Sequence, residues 1–205
     1  MLLSDRSKYG IMHIAMIRLY AFLGNFGKEY ANNRHNVAWL FLNSLSFSAQ
    51  LSWERKFKGR FATREVSGTR VFFLMPETYM NNSGESVAEC ARFFRLKPEE
   101  IMAIHDELEM AFGFFGFKFS GGLGGHNGLR SMEKHLGTRD FARMRFGIGR
   151  PDHDDIAGYV LSDFSKDERL LLDTAIFPKA TLAFSECLEA GFESVVDKYK
   201  KMSCR

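Results

Sequence analysis

The apolar residues of this chain change their spacing as the sequence proceeds. Ile17 to Leu23 is an unbroken strand-like run, and Gly24-Asn25-Phe26-Gly27 reads as a turn after it. Beyond the turn, Val37, Leu40, Phe41, Ser44 and Leu45 recur at helical spacing. The alternation then repeats. Lys56 to Val66 and Thr69 to Met75 pair as a hairpin around Ser67-Gly68. A second helix carries Val87, Cys90, Ala91 and Phe94 on one face, and Lys97-Pro98 ends it. Ile101 to His105, Phe114 to Phe119 and Arg143 to Ile148 read as strands. Between the last two lie a Gly-rich loop, Gly121 to Gly125, and a helix opening near His126-Asn127. The last forty residues read as helices interrupted at Pro178. Such alternation predicts an α/β chain built on a mixed sheet. The chain has 205 residues, 45% of them hydrophobic, enough for one core, and no repeat or low-complexity linker divides it. The 21 Phe read first as core packing.

Charge excludes little by itself, since the net value is +3. Its distribution is more informative. Trp53 to Arg70 holds six basic residues against two acidic ones, and Arg130 to Arg150 holds the same numbers. These stretches suit a polyanion, or ordinary solvated surface. Cys90, Cys187 and Cys204 are odd in number and far apart, which argues against a disulfide framework and for a reducing cytoplasm. No apolar run approaches the ~20 residues of a membrane helix. Residues 1–16 lack the apolar core of a signal peptide. They read as a short extension, or as sequence upstream of a start at Met12 or Met16, with the domain proper over residues 17–205.

Several common chemistries lack their motifs. There is no G-x-S-x-G elbow and no H-E-x-x-H or Cys pair. Gly27-Lys28 is followed by Glu29, which breaks the phosphate-loop pattern, and Gly122 to Asn127 breaks the dinucleotide pattern at its last position. Nucleotide-cofactor chemistry is therefore unsupported.

Four polar segments remain at loops or element ends. They are Asn25 with Tyr30 and His35-Asn36, Thr78 to Asn81, His105 to Leu108, and Gly124 to Gly128. In open α/β sheets, ligand sites form beyond the carboxyl ends of strands. A His can take a proton from water, a carboxylate can orient it, and Asn amides can donate to an oxyanion. With no activated Ser or Cys in view, water is the expected nucleophile. Each residue also has a plain structural role open to it: Asn25 as a turn residue, His126-Asn127 as a helix cap, Asp106 as a surface bridge, His35 as a solvent-facing side chain.

Taken together and in order, these segments resemble the bacterial peptidyl-tRNA hydrolase family. The resemblance rests on GNFGKEYANNRHN (24–36), PETYMNNSGES (76–86), HDELEM (105–110), GGLGGHNGLRS (121–131) and RMRFGIGRP (143–151), extended by GYVLSDF (158–164). It implies a single-domain α/β fold with a twisted mixed sheet flanked by helices. It implies a monomeric, cofactor-free and metal-free enzyme that cleaves the ester between a blocked peptide and tRNA. By position, His35 is the general base, Asp106 its partner, and Asn25 the reader of the blocked end. Tyr30, Tyr79, Asn81 and Asn127 contact the tRNA end and its peptide, His126 supports the site, and Arg145 binds tRNA. The chain departs from the family pattern at Phe26, at Ala111-Phe112, at Leu123, and at Gly116, where some members carry a tRNA-contacting Lys. Two rivals are an RNA-binding member of the same fold that has lost hydrolysis, which loss of His35, Asp106 or Asn25 would mark, and a metallohydrolase using His35, His105, Asp106 and His126.

Overall fold

A computed structural model describes residues 16–204. The expectation for residues 1–16 thus lies outside the described residues except at Met16, which is exposed.

Strand β1 (Leu19–Phe22) is buried on both faces, as a run without polar residues requires. It lies between β4 (Thr69–Pro76) and β5 (Ile101–Glu107), parallel to both, and β7 (Ala142–Gly147) continues the parallel set beyond β5. Antiparallel strands finish the sheet. On one side β2 (Glu54–Lys56) and β3 (Gly59–Val66) extend from β4; on the other β6 (Phe114–Phe119) and β8 (Met202–Ser203) extend from β7. The full order is β2-β3-β4-β1-β5-β7-β6-β8. The expected mixed α/β sheet is what forms.

Side chains alternate across the sheet and build two cores. Tyr20 and Phe22 point to one face, where α1 (Val37–Ser44) and α6 (Phe177–Ala190) supply Phe41 and Phe184. Leu19 and Ala21 point to the other, where α2 (Ser83–Phe93) and α3 (Asn127–Leu136) supply Val87, Leu129 and Met132. Aromatic rings do much of this packing, as the Phe content suggests: Phe72 and Phe94 stack with centroids 4.0 Å apart, and Phe184 meets Tyr20 edge-on at 5.2 Å.

Two local readings are corrected, and one element is added. The expected strand from Lys56 to Val66 is two strands, because Phe57 and Lys58 take left-handed backbone angles, φ 55° and 53°, and form a tight turn between β2 and β3. Pro178 does not interrupt the C-terminal helices. Helix α5 (Lys166–Leu171) runs through a wide π turn at Leu172–Ile176 directly into α6, and Pro178 falls in the first turn of α6. The widened turn relieves the clash between a proline ring and the carbonyl four residues back. The chain breaks instead at Gly191, φ 89°, before α7 (Glu193–Val196). A further short helix unseen in the sequence, α4 (Ile156–Leu161), lies beyond β7.

Gly116 has a structural explanation. A Cβ there would stand 2.4 Å from the Lys200 carbonyl oxygen, because the C-terminal segment crosses β6 at that point. No Lys fits where this chain has Gly116.

Candidate active site

Because β4, β1 and β5 are parallel, their carboxyl ends open on one edge of the sheet. Asn25 follows β1, Tyr79 to Asn81 follow β4, and Asp106 is the penultimate residue of β5. A one-turn helix at Arg34–Asn36 brings His35 to the same edge, and the start of α3 brings His126 and Asn127.

Asp106 is the centre of the cluster. It is 2% exposed, and its Oδ1 lies 2.8 Å from His35 Nδ1 and 2.9 Å from His126 Nε2. The proton positions follow from the other partners. His126 Nδ1 accepts the Gly128 and Leu129 backbone N–H groups at 3.1 and 3.3 Å, capping α3, so its proton sits on Nε2 and is donated to Asp106. His35 donates from Nδ1 to the same oxygen, which leaves its Nε2 as the acceptor. His35 lines both cavities described below, so that acceptor has access to solvent and substrate.

Burial works against a charge on His35, but the Asp106 carboxylate, through its charge and its hydrogen bond, outweighs that and raises the imidazole above its usual pKa. Burial likewise favours neutral Asp106, yet the charge of His35 and the hydrogen bonds from both rings hold it well below the usual carboxylate range. The arrangement is an imidazole oriented by a buried anion, with a second histidine fixing that anion in turn.

Asn25 is set as firmly. Its Oδ1 accepts the Met80 N–H at 2.8 Å, which orients the carboxamide. Only the Nδ2 donors remain for the cavity that Asn25 lines.

Two adjoining cavities contain most of the expected residues. One, about 440 Å³, is lined by Asn25, Tyr30, His35, Tyr79, Asn81 and Asn127, with Ala157, Val160 and Leu161 as an apolar wall. The other, about 240 Å³, shares His35, Asn127, Ala157 and Val160 with the first and adds Asp106 and His126. Val160 and Leu161 lie in the GYVLSDF segment, but nothing in that segment reads as a helix or as a cavity wall. Arg145 is not brought to either cavity. It stands on β7 opposite His105 and Gly116, donates to the Lys200 carbonyl at 3.2 Å and lies 3.8 Å from Glu107. The basic stretches are also less open than their charge suggests. Arg143 is 1% exposed and clamps the Gly-rich loop through the Gly121 and Gly122 carbonyls, while Arg139, Arg150, Arg55 and Lys58 each pair with a Glu.

His105 separates from the proposed metal set. It is buried, burial and the neighbouring His126 depress its pKa, and its Nδ1 lies 2.5 Å from the Asp106 carbonyl. The ligand atoms of His35, Asp106 and His126 do lie within 4.8 Å of one another. A cation there would displace the protons that both rings now donate to Asp106, so this donor set fits a hydrogen-bonded triad better than a metal.

No helix among the described residues is long and apolar enough to cross a membrane. The three cysteines are free and buried.

Comparison with known proteins agrees with the geometry. The family model for peptidyl-tRNA hydrolase matches residues 19–205. A peptidyl-tRNA hydrolase of Dinoroseobacter shibae is 46% identical over 159 residues, 77% of this chain and 67% of the relative, and one of Agrobacterium fabrum is 45% identical over 77% of this chain. The chain spans about two thirds of the length of each, 67% and 66%. A peptidyl-tRNA hydrolase of Neisseria meningitidis is 42% identical over 86% of this chain and 93% of its own length. The crystal structure of peptidyl-tRNA hydrolase from Acinetobacter baumannii superposes with a TM-score of 0.79 at 37% identity, covering 87% of this chain and 91% of that one. The chain belongs to the peptidyl-tRNA hydrolase family.

Proposed function

We propose that this chain hydrolyses the ester bond between a peptide and the 3′ end of tRNA, with His35 as general base. The observation that carries the reading is the His35–Asp106–His126 cluster, with His35 Nε2 left as acceptor beside a cavity that Asn25 lines. Water gives a proton to His35 Nε2 as its oxygen attacks the ester carbon. The tetrahedral oxyanion is met by amide donors on the cavity wall, which Asn25, Asn81 and Asn127 line. As the intermediate collapses, the carbon–oxygen bond to ribose breaks, and the ribose oxygen takes the proton from His35. A peptide acid and a free tRNA leave.

Asn25 Nδ2 suits the carbonyl of a blocked amino terminus, and as a donor it offers nothing to an ammonium. Tyr30 and Tyr79 flank the same cavity, and Tyr79 is 66% exposed, a surface suited to the tRNA end. Arg145 on β7 and Lys118 on β6 form a basic edge away from the cavity, where phosphates of the acceptor stem would lie. The chain works as a monomer in the cytoplasm without metal or cofactor. Release of N-acetyl-aminoacyl groups from tRNA by the purified protein tests the reading; no release above the uncatalysed rate removes it.

A further inference from the structure

We infer that Arg34 is a positioning residue, which holds the apolar wall of the substrate cavity in register with His35 through its ion pair with Glu168. The inference rests on the proposed hydrolysis and deepens it, because it assigns the acyl side chain of the substrate to that wall.

The wall is α4, and α4 cannot hold itself. It has six residues, none of them buried. A helix that short has no stability of its own. Its inner residues Ala157, Val160 and Leu161 line the larger cavity, and on its other side Arg34 gathers the segment that follows. The guanidinium donates to both Glu168 carboxylate oxygens at 2.8 Å and, through Nε, to Ser162 Oγ at 3.3 Å. It lies 4.6 Å from the centre of the Tyr159 ring and 5.0 Å from that of Phe164. The Arg34 backbone N–H donates to the Ser162 carbonyl at 3.0 Å. Four residues around the exit of α4 thus converge on one side chain.

Arg34 is also fixed at its other end. It begins the single turn Arg34–Asn36, so its backbone and that of His35 move together. Glu168 is equally constrained: it closes a capping box with Ser165 at the start of α5. Burial opposes its charge, yet the Arg34 and Ser165 hydrogen bonds keep the Glu168 carboxyl below its ordinary range. A planar fork is needed for two parallel bonds and for stacking on two rings, and an ammonium supplies neither. If Arg34 served stability alone, its loss would lower the melting temperature and treat all substrates alike. If it positions the wall, the loss depends on what the substrate rests there.

Glu168→Gln tests this, because Gln retains the capping box and deletes the ion pair. For N-acetyl-leucyl-tRNA, KM should rise about tenfold with kcat little changed, whereas for N-acetyl-glycyl-tRNA, which has no side chain to rest on α4, it should change less than about twofold. Arg34→Lys should give the same split, and the double variant should be no worse than either single one. A second readout does not need turnover. The methyl resonances of Ala157, Val160 and Leu161 should shift or broaden in Glu168→Gln, while those of Val87 and Met132 on the far face stay put. Equal losses on both substrates, or unmoved α4 methyls, overturn the inference. A wild-type protein that cleaves neither substrate refutes the hydrolase reading instead, and the methyl spectra then still decide whether the ion pair holds α4.

Discussion

Asn36 holds the backbone of Asn25 from both sides: its Oδ1 accepts the Asn25 N–H at 2.8 Å, and its Nδ2 donates to the Asn25 carbonyl at 2.9 Å. With Oδ1 of Asn25 committed to Met80, the cavity receives only donors from this residue. Asn25→Asp keeps an oxygen for Met80 and turns the other group into an anionic acceptor. A site built for one hydrogen-bond partner can discriminate by ~10⁴–10⁵ when that partner is missing. The ratio of kcat/KM for N-acetyl-aminoacyl-tRNA over free aminoacyl-tRNA should therefore shrink in Asn25→Asp, since a carboxylate welcomes the ammonium. Equal losses on both substrates would place the discrimination elsewhere.

His35→Ala should fold normally and lose about 10²–10⁴ in kcat, the usual contribution of a positioned base. A variant with a native spectrum and more than about a third of the wild-type rate would dismiss His35 from that role.

Asp106→Asn should shift the pH profile as well as the rate. The base works when neutral, so activity rises with pH through the pKa of His35. Asp106 raises that pKa against the opposing effect of burial. Without the carboxylate, the acid limb should move to lower pH, while the plateau falls by about 10²–10⁴ because imidazolium is no longer stabilised. An unmoved limb with an unchanged plateau makes Asp106 a structural residue.

Two solution conditions separate the rivals. Excess EDTA should leave turnover unchanged, and strong inhibition would revive a metal at His35, Asp106 and His126. Binding of tRNA should weaken with salt, log K falling by roughly 0.7–0.9 per decade of salt for each phosphate neutralised. A flat response removes the basic edge from the argument.

Gly84→Ala tests how α3 is placed. A Cβ at position 84 would stand 2.0 Å from the Ser131 carbonyl oxygen, so α2 and α3 must separate to admit it. Overpacking of this kind costs about 1–3 kcal/mol. The melting temperature should fall, and kcat with it, because α3 carries His126 and Asn127. A variant as stable as wild type would show that the crossing has slack.

The sequence made the alternation of strands and helices legible, because β1 and the first four residues of β5 are apolar on both faces and the helices keep their period. It also made His35, Asp106, His126 and Asn25 candidates, since polar residues at strand ends are informative. The turn at Phe57-Lys58 was hidden, because neither residue advertises a left-handed backbone. The helix through Pro178 was hidden for a similar reason: a π turn has no composition of its own. Arg34 gave no signal, since its partners Ser162 and Glu168 lie 128 and 134 residues away. Arg145 was legible as a basic residue, but its place against the Lys200 carbonyl depends on a crossing by the far end of the chain.

The placement of β1 between β4 and β5 has a consequence for how the enzyme comes into being. Strand β1, the first among the described residues, cannot be enclosed until segments some 50 and 80 positions later have been joined to it, as in Leu19 with Phe72 and Ile101. Contacts between such remote segments form slowly, because the intervening loop must close before they yield anything. His35 and Asp106, 71 positions apart, meet only across that closure. A nascent or half-folded chain therefore holds the imidazole and its carboxylate partner as separate groups. Only a completed topology can attack an ester.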